Sequence, residues 1–106
     1  NYDKAVQYFL SVSVSDDMIT ASALAGAASC YEAKNDYEKA ASSFEKAAFK
    51  STKDVNAAEN MFHAARNYLT AGKKEKAAEL FKKVKKEFPT SVVAREIDRW
   101  IAQASV

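Results

Sequence analysis

Residues 35–44 read NDYEKAASSF, and their skeleton of a charged pair, an alanine and an aromatic residue four positions later occurs twice more in the chain. It stands near the start as NYDKAVQYF, residues 1–9, and again as KKEKAAELF, residues 73–81. The three alanines are 35 and 37 residues apart. A self-similar period in this range predicts a stacked array of similar supersecondary units.

Composition indicates one all-helical domain. The chain has 106 residues, 48% of them hydrophobic and 28% charged, with only two glycines and one proline. It is too apolar for disorder and too poor in turn residues for a β-sandwich. The net charge of +2 provides no global field that would favour nucleic acid. No apolar run approaches the ~20 residues that cross a bilayer, and no signal-peptide pattern occurs, so direct membrane insertion is not expected.

Each unit is predicted to be a helical hairpin, because apolar residues upstream of the alanines recur at i, i+3, i+4 and i+7, which is one helix face. They are Leu24, Ala27, Ala28 and Tyr31 in one unit and Met61, Ala64, Ala65 and Tyr68 in the next. The second helices carry Ala40, Phe44 and Ala47 in one unit and Ala77, Phe81, Val84 and Phe88 in the next. Between the two helices, Asn35-Asp36 and Ala71-Gly72 predict tight turns, which make the helices antiparallel neighbours.

The recurring alanine is explained by how closely antiparallel helices pack. Helix axes that approach to roughly 8–10 Å need small side chains where the helices cross. We therefore expect Ala28 to face Ala40 and Ala65 to face Ala77. The aromatic residue one turn later is then expected to fill the space between a hairpin and its neighbour.

This pattern resembles the tetratricopeptide repeat. The residues that carry the resemblance are Leu24, Ala27, Ala28, Tyr31, Ala40, Phe44 and Ala47, followed by Met61, Ala64, Ala65, Tyr68, Ala77, Phe81, Val84 and Pro89. The resemblance implies an all-α, right-handed superhelix of antiparallel hairpins with about six helices. The expected parts are a second helix of an incomplete repeat at 1–15, complete repeats at 21–57 and 58–93, and a C-terminal capping helix at 90–105. The tryptophan usual in the first helix of the repeat is absent, which alters local packing only.

The junction KKEFPTSVVAREI, residues 85–97, is similar to bacterial cell-envelope members of the family, in which a Phe-Pro or Tyr-Pro pair precedes the next helix. This similarity implies the periplasm or a membrane-anchored envelope protein, with the cytoplasm as the alternative.

The last helix is expected to begin after Pro89. Pro89 is expected to end one helix, and Thr90 or Ser91 to cap the next. The apolar stripe of that last helix is Val93, Ile97, Trp100 and Ile101. We expect it to cap the array, with partner binding by Trp100 as the alternative.

The sequence offers no residues for catalysis. His63 is the single histidine and has no second His or Cys at metal-ligand spacing. Cys30 is the single cysteine, which excludes an internal disulfide and predicts a small core residue. Gly26 and Gly72, the only glycines, make no phosphate-binding loop. We therefore predict no catalytic residue, no metal and no cofactor, and a protein that is not an enzyme.

Residues 73–87 are locally basic, with seven lysines and three glutamates. The lysines fall on the arc opposite Ala77 and Phe81, which predicts a solvated convex face. Aromatic residues do not alternate with them, as proteins that bind single-stranded nucleic acid require, so a nucleic-acid partner is not expected. An acidic membrane surface or an acidic protein stays open as a partner of this face.

The resemblance implies a binding groove lined by the first helix of each pair. The predicted groove residues are Ser22, Ala25, Ser29 and Glu32, then Glu59, Phe62, His63, Arg66 and Leu69, and, from the last helix, Arg95, Asp98, Arg99 and Ala102. The groove is expected to take an extended peptide or a partner helix and to be free of packing contacts. The alternatives are self-association and a spacer role in a larger assembly.

One branch of the family grips the C-terminal carboxylate of chaperones with five polar residues. The matching positions here are Ala25, Ser29, His63, Arg95 and Arg99, of which only the two arginines are suitable. Chaperone-tail binding is therefore not expected. An anionic ligand near Arg66 and the same two arginines stays open, because guanidinium groups bind carboxylates in a bidentate manner.

The N-terminal residues match the packing face of a second helix whose first helix is not in this sequence. The matching residues are Tyr2, Ala5, Phe9 and Val12. A helix that leaves such side chains in water favours association. The sequence therefore predicts that this chain pairs with another copy through its N-terminal helix, or swaps that helix, whereas in a longer protein an upstream helix is expected to cover the same face.

Overall fold

The computed structural model describes residues 1–12, 15–53 and 56–106. Within these residues the chain forms six α-helices, one 3-10 turn and no strand. The helices are α1 (Tyr2–Leu10), α2 (Asp17–Ala33), α3 (Tyr37–Lys50), α4 (Ala57–Thr70), α5 (Lys74–Glu87) and α6 (Ile97–Ala104), with the 3-10 turn at Val93–Glu96. The predicted all-α fold with about six helices is confirmed. Residues 13–14 of the predicted segment 1–15, and residues 54–55 of the predicted repeat 21–57, lie outside the described residues.

Polar side chains cap the N-termini of three helices, α1, α2 and α3. The Asn1 Oδ1 atom accepts a hydrogen bond from the Asp3 amide at 3.0 Å, and the Asp16 Oδ1 atom accepts one from the Met18 amide at 2.8 Å. Asp36 caps α3 in the same way. These side chains satisfy backbone N–H groups that have no partner within the first turn of a helix.

The last helix begins differently from the expectation. Ser91 Oγ donates to the Phe88 carbonyl at 2.7 Å, so it closes the turn after α5 and does not cap the next helix. The chain then enters the 3-10 turn, which has no side-chain cap. The prediction that Thr90 or Ser91 caps the last helix is therefore wrong, and α6 begins only at Ile97.

The two tight turns lie where the sequence predicts them. Asn35 has φ 64° and Gly72 has φ 85°, the left-handed conformation that ends many helices. The Asp36 amide donates to the Tyr31 carbonyl at 2.9 Å, and the Lys73 amide donates to the Tyr68 carbonyl at 2.8 Å. These hydrogen bonds reverse the chain within a few residues, so α2 lies against α3 and α4 against α5.

Extensive contacts join helices that are consecutive along the chain. Ala28, Ala40, Ala65 and Ala77 are fully buried, as expected for residues at helix crossings. A core cluster of buried residues extends from α2 to α6 and contains Phe44, Met61, Tyr68, Leu80, Phe81, Val84 and Ile97 together with small residues between them. None of the helices in the described ranges has both the length and the hydropathy to cross a bilayer.

Aromatic residues of the second helices pack on the next hairpin. A Cβ atom added to Gly26 would lie 2.6 Å from Phe9 Cε1, so the Phe9 ring rests on the glycine backbone of α2. The Phe44 ring lies 5.3 Å from the His63 ring of α4, at the position 37 residues after Gly26. These contacts agree with the predicted role of the aromatic residues.

The first complete hairpin is less buried than the second. Leu24 and Tyr31 are half-buried, whereas their counterparts Met61 and Tyr68 are only 1% and 4% exposed. Cys30 is half-buried as well, so its predicted position in the core is wrong. The difference follows from helix length, because α2 has the nine-residue α1 on one side, while α4 lies between two helices of 14 residues.

Candidate functional site

The two first helices α2 and α4 both pack on α3 and leave an open cleft of about 380 Å³ between them, here called the α2–α4 cleft. Its lining residues are Ser22, Ala25, Ser29 and Glu32 of α2, Phe44 of α3, Asn56, and Glu59, Asn60, His63 and Arg66 of α4. The structure thus brings together all the predicted groove residues of α2 and three of the five predicted from α4.

A hydrogen-bonded ion pair bridges α2 and α4 at one end of the cleft. Arg66 Nη2 donates to Glu32 Oε1 at 2.8 Å. Asn67, which is fully buried, donates from Nδ2 to the same Glu32 oxygen and to the His63 carbonyl, each at 2.8 Å. Burial opposes ionisation of Glu32, but the hydrogen bond from Asn67 and the charge of Arg66 lower the pKa of this carboxyl. Glu32 is therefore ionised and already occupied by two donors.

His63 forms part of the cleft wall. Its ring lies 5.3 Å from the Phe44 ring and 5.8 Å from the Phe62 ring. Burial and the nearby Arg66 charge lower the pKa of His63, so the imidazole is uncharged at neutral pH. Within the described ranges no group of three or more His, Cys, Asp or Glu side chains is placed to hold a metal ion.

Sequence reasoning missed Asn60. This residue is 7% exposed, lines the α2–α4 cleft, and its carboxamide has no hydrogen-bond partner among the described residues. The signal that could have found it is the repeat register, because Ala23, 37 residues earlier, occupies the equivalent position and is also buried. The polar Asn60 thus replaces a small buried residue of the preceding repeat, which indicates that the carboxamide has a role specific to α4.

Phe62 and Leu69 do not belong to a free surface. The Phe62 ring lies 5.9 Å from the Phe81 ring and 5.5 Å from the Trp100 ring, and Leu69 packs against the core cluster. The expectation that these side chains are free of packing contacts is therefore wrong. The physical reason is that α6 packs beside the end of the array, where Trp100 stacks on Phe81 at 5.6 Å.

The predicted groove residues of the last helix lie outside the α2–α4 cleft. Arg95 and Phe62 line a separate cleft of about 340 Å³ beside the 3-10 turn. Asp98 accepts a hydrogen bond from Lys85 Nζ at 2.8 Å, toward α5. Arg99 pairs with Glu96 at 3.1 Å on the surface.

A joint anionic site is not formed. Arg66 lies in the α2–α4 cleft and is paired with Glu32, Arg95 lies in the second cleft, and Arg99 lines neither. The 3-10 turn Val93–Glu96, which contains Arg95, stands where the sequence interpretation assumed a continuous last helix.

The lysine-rich helix α5 has a largely solvated outer face. Lys82, Lys85 and Lys86 are exposed, in agreement with the predicted convex surface. Lys83 Nζ lies 4.6 Å from the centroid of the Phe49 ring, which is 44% exposed. The lysines therefore do not contribute to the lining of the α2–α4 cleft.

The fold defines a class of protein, the stacked arrays of antiparallel helical hairpins. Two family models, both described as tetratricopeptide repeat, match residues 23–59 and residues 59–91. Together they span well over half of the chain, which belongs to the tetratricopeptide repeat family. No curated protein and no solved structure matches the chain. Repeats of this family generally mediate protein–protein interaction and are typically non-catalytic.

Proposed function

We propose that the protein is a non-catalytic interaction scaffold that holds an extended peptide segment of a protein partner in the α2–α4 cleft. The observation that carries this proposal is the cleft itself, which is open and lined by polar side chains from two successive repeats. Ser22 and Ser29 are exposed on its α2 side, where hydroxyl groups can bond to a peptide backbone.

The cleft chemistry favours an extended peptide over a partner helix. An amphipathic helix inserts an apolar face into a hydrophobic groove. Here Ala25 and Phe44 are the only aliphatic or benzene-ring side chains among the lining residues of the α2–α4 cleft. An extended segment leaves its backbone N–H and C=O groups free to pair with the Ser22, Ser29 and Asn60 side chains.

A steric block of the cleft tests the proposal. Peptides would be selected from a random library on the immobilised protein, and their affinities measured for Ser29→Tyr and for the control Lys82→Tyr. Both substitutions replace an exposed helical residue by tyrosine, but only Ser29 lines the cleft. We expect Ser29→Tyr to weaken binding by roughly tenfold or more and Lys82→Tyr to leave it unchanged. Equal affinity for Ser29→Tyr and the parent protein contradicts the proposal.

Self-association is the second candidate, and exposed apolar side chains of α1 favour it. Tyr2, Tyr8 and Leu10 are 54%, 68% and 53% exposed. Helix α3 is equivalent to α1 in the repeat, and its residue Ser43, 35 positions after Tyr8, is buried. The position of Tyr8 is therefore one that a neighbouring helix covers in the next repeat. A second copy that covers Tyr8 would bury a side chain worth about 1.5–3 kcal/mol when fully buried.

Light scattering tests this second candidate. Phe9 is unsuitable for substitution because it packs on Gly26 inside the chain, so the variant is Tyr8→Lys, with Gln7→Lys of the same helix as its control. Self-association predicts a dimer mass at high micromolar concentration for the parent and for Gln7→Lys, and a monomer mass for Tyr8→Lys. A parent protein that stays monomeric at that concentration contradicts it.

A further inference from the structure

The α2–α4 cleft carries an uncompensated negative charge. Its charged lining residues are Glu32, Glu59 and Arg66. Glu32 and Arg66 neutralise each other in the 2.8 Å ion pair, and the fourth titratable side chain of the lining, His63, is uncharged. Glu59 forms no ion pair within the described parts of the chain. The remaining charge of the described lining is therefore the Glu59 carboxylate.

A polar side chain that is open to the cleft follows this carboxylate in α4. Asn60 follows Glu59 in α4, lines the same cleft, and is 7% exposed. The Asn60 carboxamide makes no hydrogen bond to a described residue, and it is not among the fully buried side-chain groups that lack a partner, so its polar atoms face the open cleft. Its oxygen is an open acceptor, and its NH₂ group is an open donor. Charge and hydrogen-bonding capacity thus coincide on one side of the cleft.

We propose that this side of the cleft binds a basic side chain of the peptide, with Glu59 as its counter-ion and Asn60 as a hydrogen-bond acceptor. The inference rests on the proposed peptide-binding function and adds the chemical class that the cleft selects. A lysine or arginine side chain carries donors and no acceptor, so it complements a carboxylate and a carboxamide oxygen together. A peptide carboxylate would instead approach Glu59, and the one arginine of the lining is already engaged by Glu32.

Three short probes separate charge from size. The probes are acetylated and amidated pentapeptides of alanine with a central lysine, a central norleucine or a central glutamate. Each is titrated into the ¹⁵N-labelled protein while backbone and side-chain amide resonances are followed. Norleucine has the aliphatic length of lysine without its charge, so it is the neutral control.

The lysine probe is expected to shift the Asn60 side-chain NH₂ resonances and to bind about three- to fivefold more tightly than the norleucine probe, the strength of a partly exposed ion pair. The glutamate probe is expected to bind most weakly. Glu59→Gln should remove the preference for lysine. Glu87→Gln, which makes the same charge change on the exposed face of α5, should keep it.

The outcomes distinguish this inference from the function on which it rests. If all three probes shift α2 and α4 resonances with equal affinity, or if Glu59→Gln keeps the lysine preference, peptide binding stands and the basic-residue inference is overturned. If none of the probes shifts a resonance of α2 or α4, both are overturned. A well-dispersed spectrum of Glu59→Gln shows that the variant is folded.

Discussion

The contact between Phe9 and Gly26 sets how closely α1 approaches α2, because the ring occupies the volume that a Cβ atom would need. His63 occupies the equivalent position one repeat later. The Phe44 ring lies 5.3 Å from the His63 ring, so this position has room for a side chain. Single residues at equivalent positions therefore adjust the spacing between successive hairpins.

Gly26→Ala is expected to lower the free energy of unfolding, although alanine has a helix propensity about 1 kcal/mol more favourable than glycine. The added Cβ would lie 2.6 Å from the Phe9 ring, and the ring must move. In a Phe9→Ala background the same change should be neutral or stabilising, because the clash is gone. Urea denaturation of the four proteins checks this. Stabilisation by Gly26→Ala in the parent background contradicts the packing described.

Tyr68→Phe is expected to lower the free energy of unfolding by about 1–2 kcal/mol, since it removes a hydrogen bond to a charged group. The Tyr68 hydroxyl donates to Glu45 Oε1 at 2.7 Å, and burial together with this hydrogen bond raises the pKa of Tyr68. Tyr31, 37 residues earlier, has no such hydrogen bond among the described residues, so Tyr31→Phe is the matched control. Equal losses for both variants in thermal denaturation would contradict this assignment.

The pKa of His63 predicts a pH dependence of stability. Burial lowers the pKa of the folded protein below the ordinary value of 6.5, so the unfolded chain binds the proton more tightly. The contribution of His63 to stability should therefore be constant above about pH 6.5, and stability should fall as the pH decreases from there toward the lower pKa of the folded state. His63→Gln should remove this fall, which urea denaturation across the pH range would detect. A parent protein whose stability does not change between about pH 7 and pH 5 contradicts the prediction.

Among the elements, the helices themselves could be predicted from sequence, but the start of the last helix could not. The spacing of Met61, Ala64, Ala65 and Tyr68 follows the helix period, and the left-handed turn residues Asn35 and Gly72 mark helix ends. The start of α6 depends on the 3-10 turn after Pro89, which has no capping side chain to read. Hydrophobic periodicity carries no information on such a turn.

The site was predictable only as far as it follows from the repeat register. Ser22, Ser29, Glu32, Glu59, His63 and Arg66 all line the α2–α4 cleft. Phe62 was misassigned because its packing depends on Trp100, which approaches from an element whose position the sequence does not determine. Asn60 was missed because a buried asparagine in a helix has no periodicity of its own.

Trp100 holds α6 on the array through the rings of Phe62 and Phe81. Trp100→Ala is expected to lower the free energy of unfolding by roughly 2–3 kcal/mol, below the full loss for a completely buried aromatic residue. Trp100→Phe should recover more than half of that loss, because a ring remains. Hydrogen exchange should show the largest increase in α6 for Trp100→Ala. An unchanged exchange rate in α6 contradicts the capping role of this helix.

At the scale of the whole molecule, the helices form an array of 37 × 28 × 18 Å in which extensive contacts link each helix to the next along the chain. Helices α2 and α4 are therefore neighbours that share α3, and the Glu32–Arg66 pair is a direct link between them. The exposed cleft side chains Ser22, Ser29 and Glu59 lie on the side of these helices that is open to solvent. This open side is the basis of the proposed scaffold function.

The most direct test of that function is to locate a bound peptide by hydrogen–deuterium exchange. A peptide selected from a random library would be added to the parent protein, and amide protection measured in every helix. The account predicts added protection in α2 and α4, where the cleft residues Ser29, Glu59 and Asn60 lie, and none on the lysine-rich face of α5. Protection confined to α5, or to the exposed side chains of α1, would contradict it.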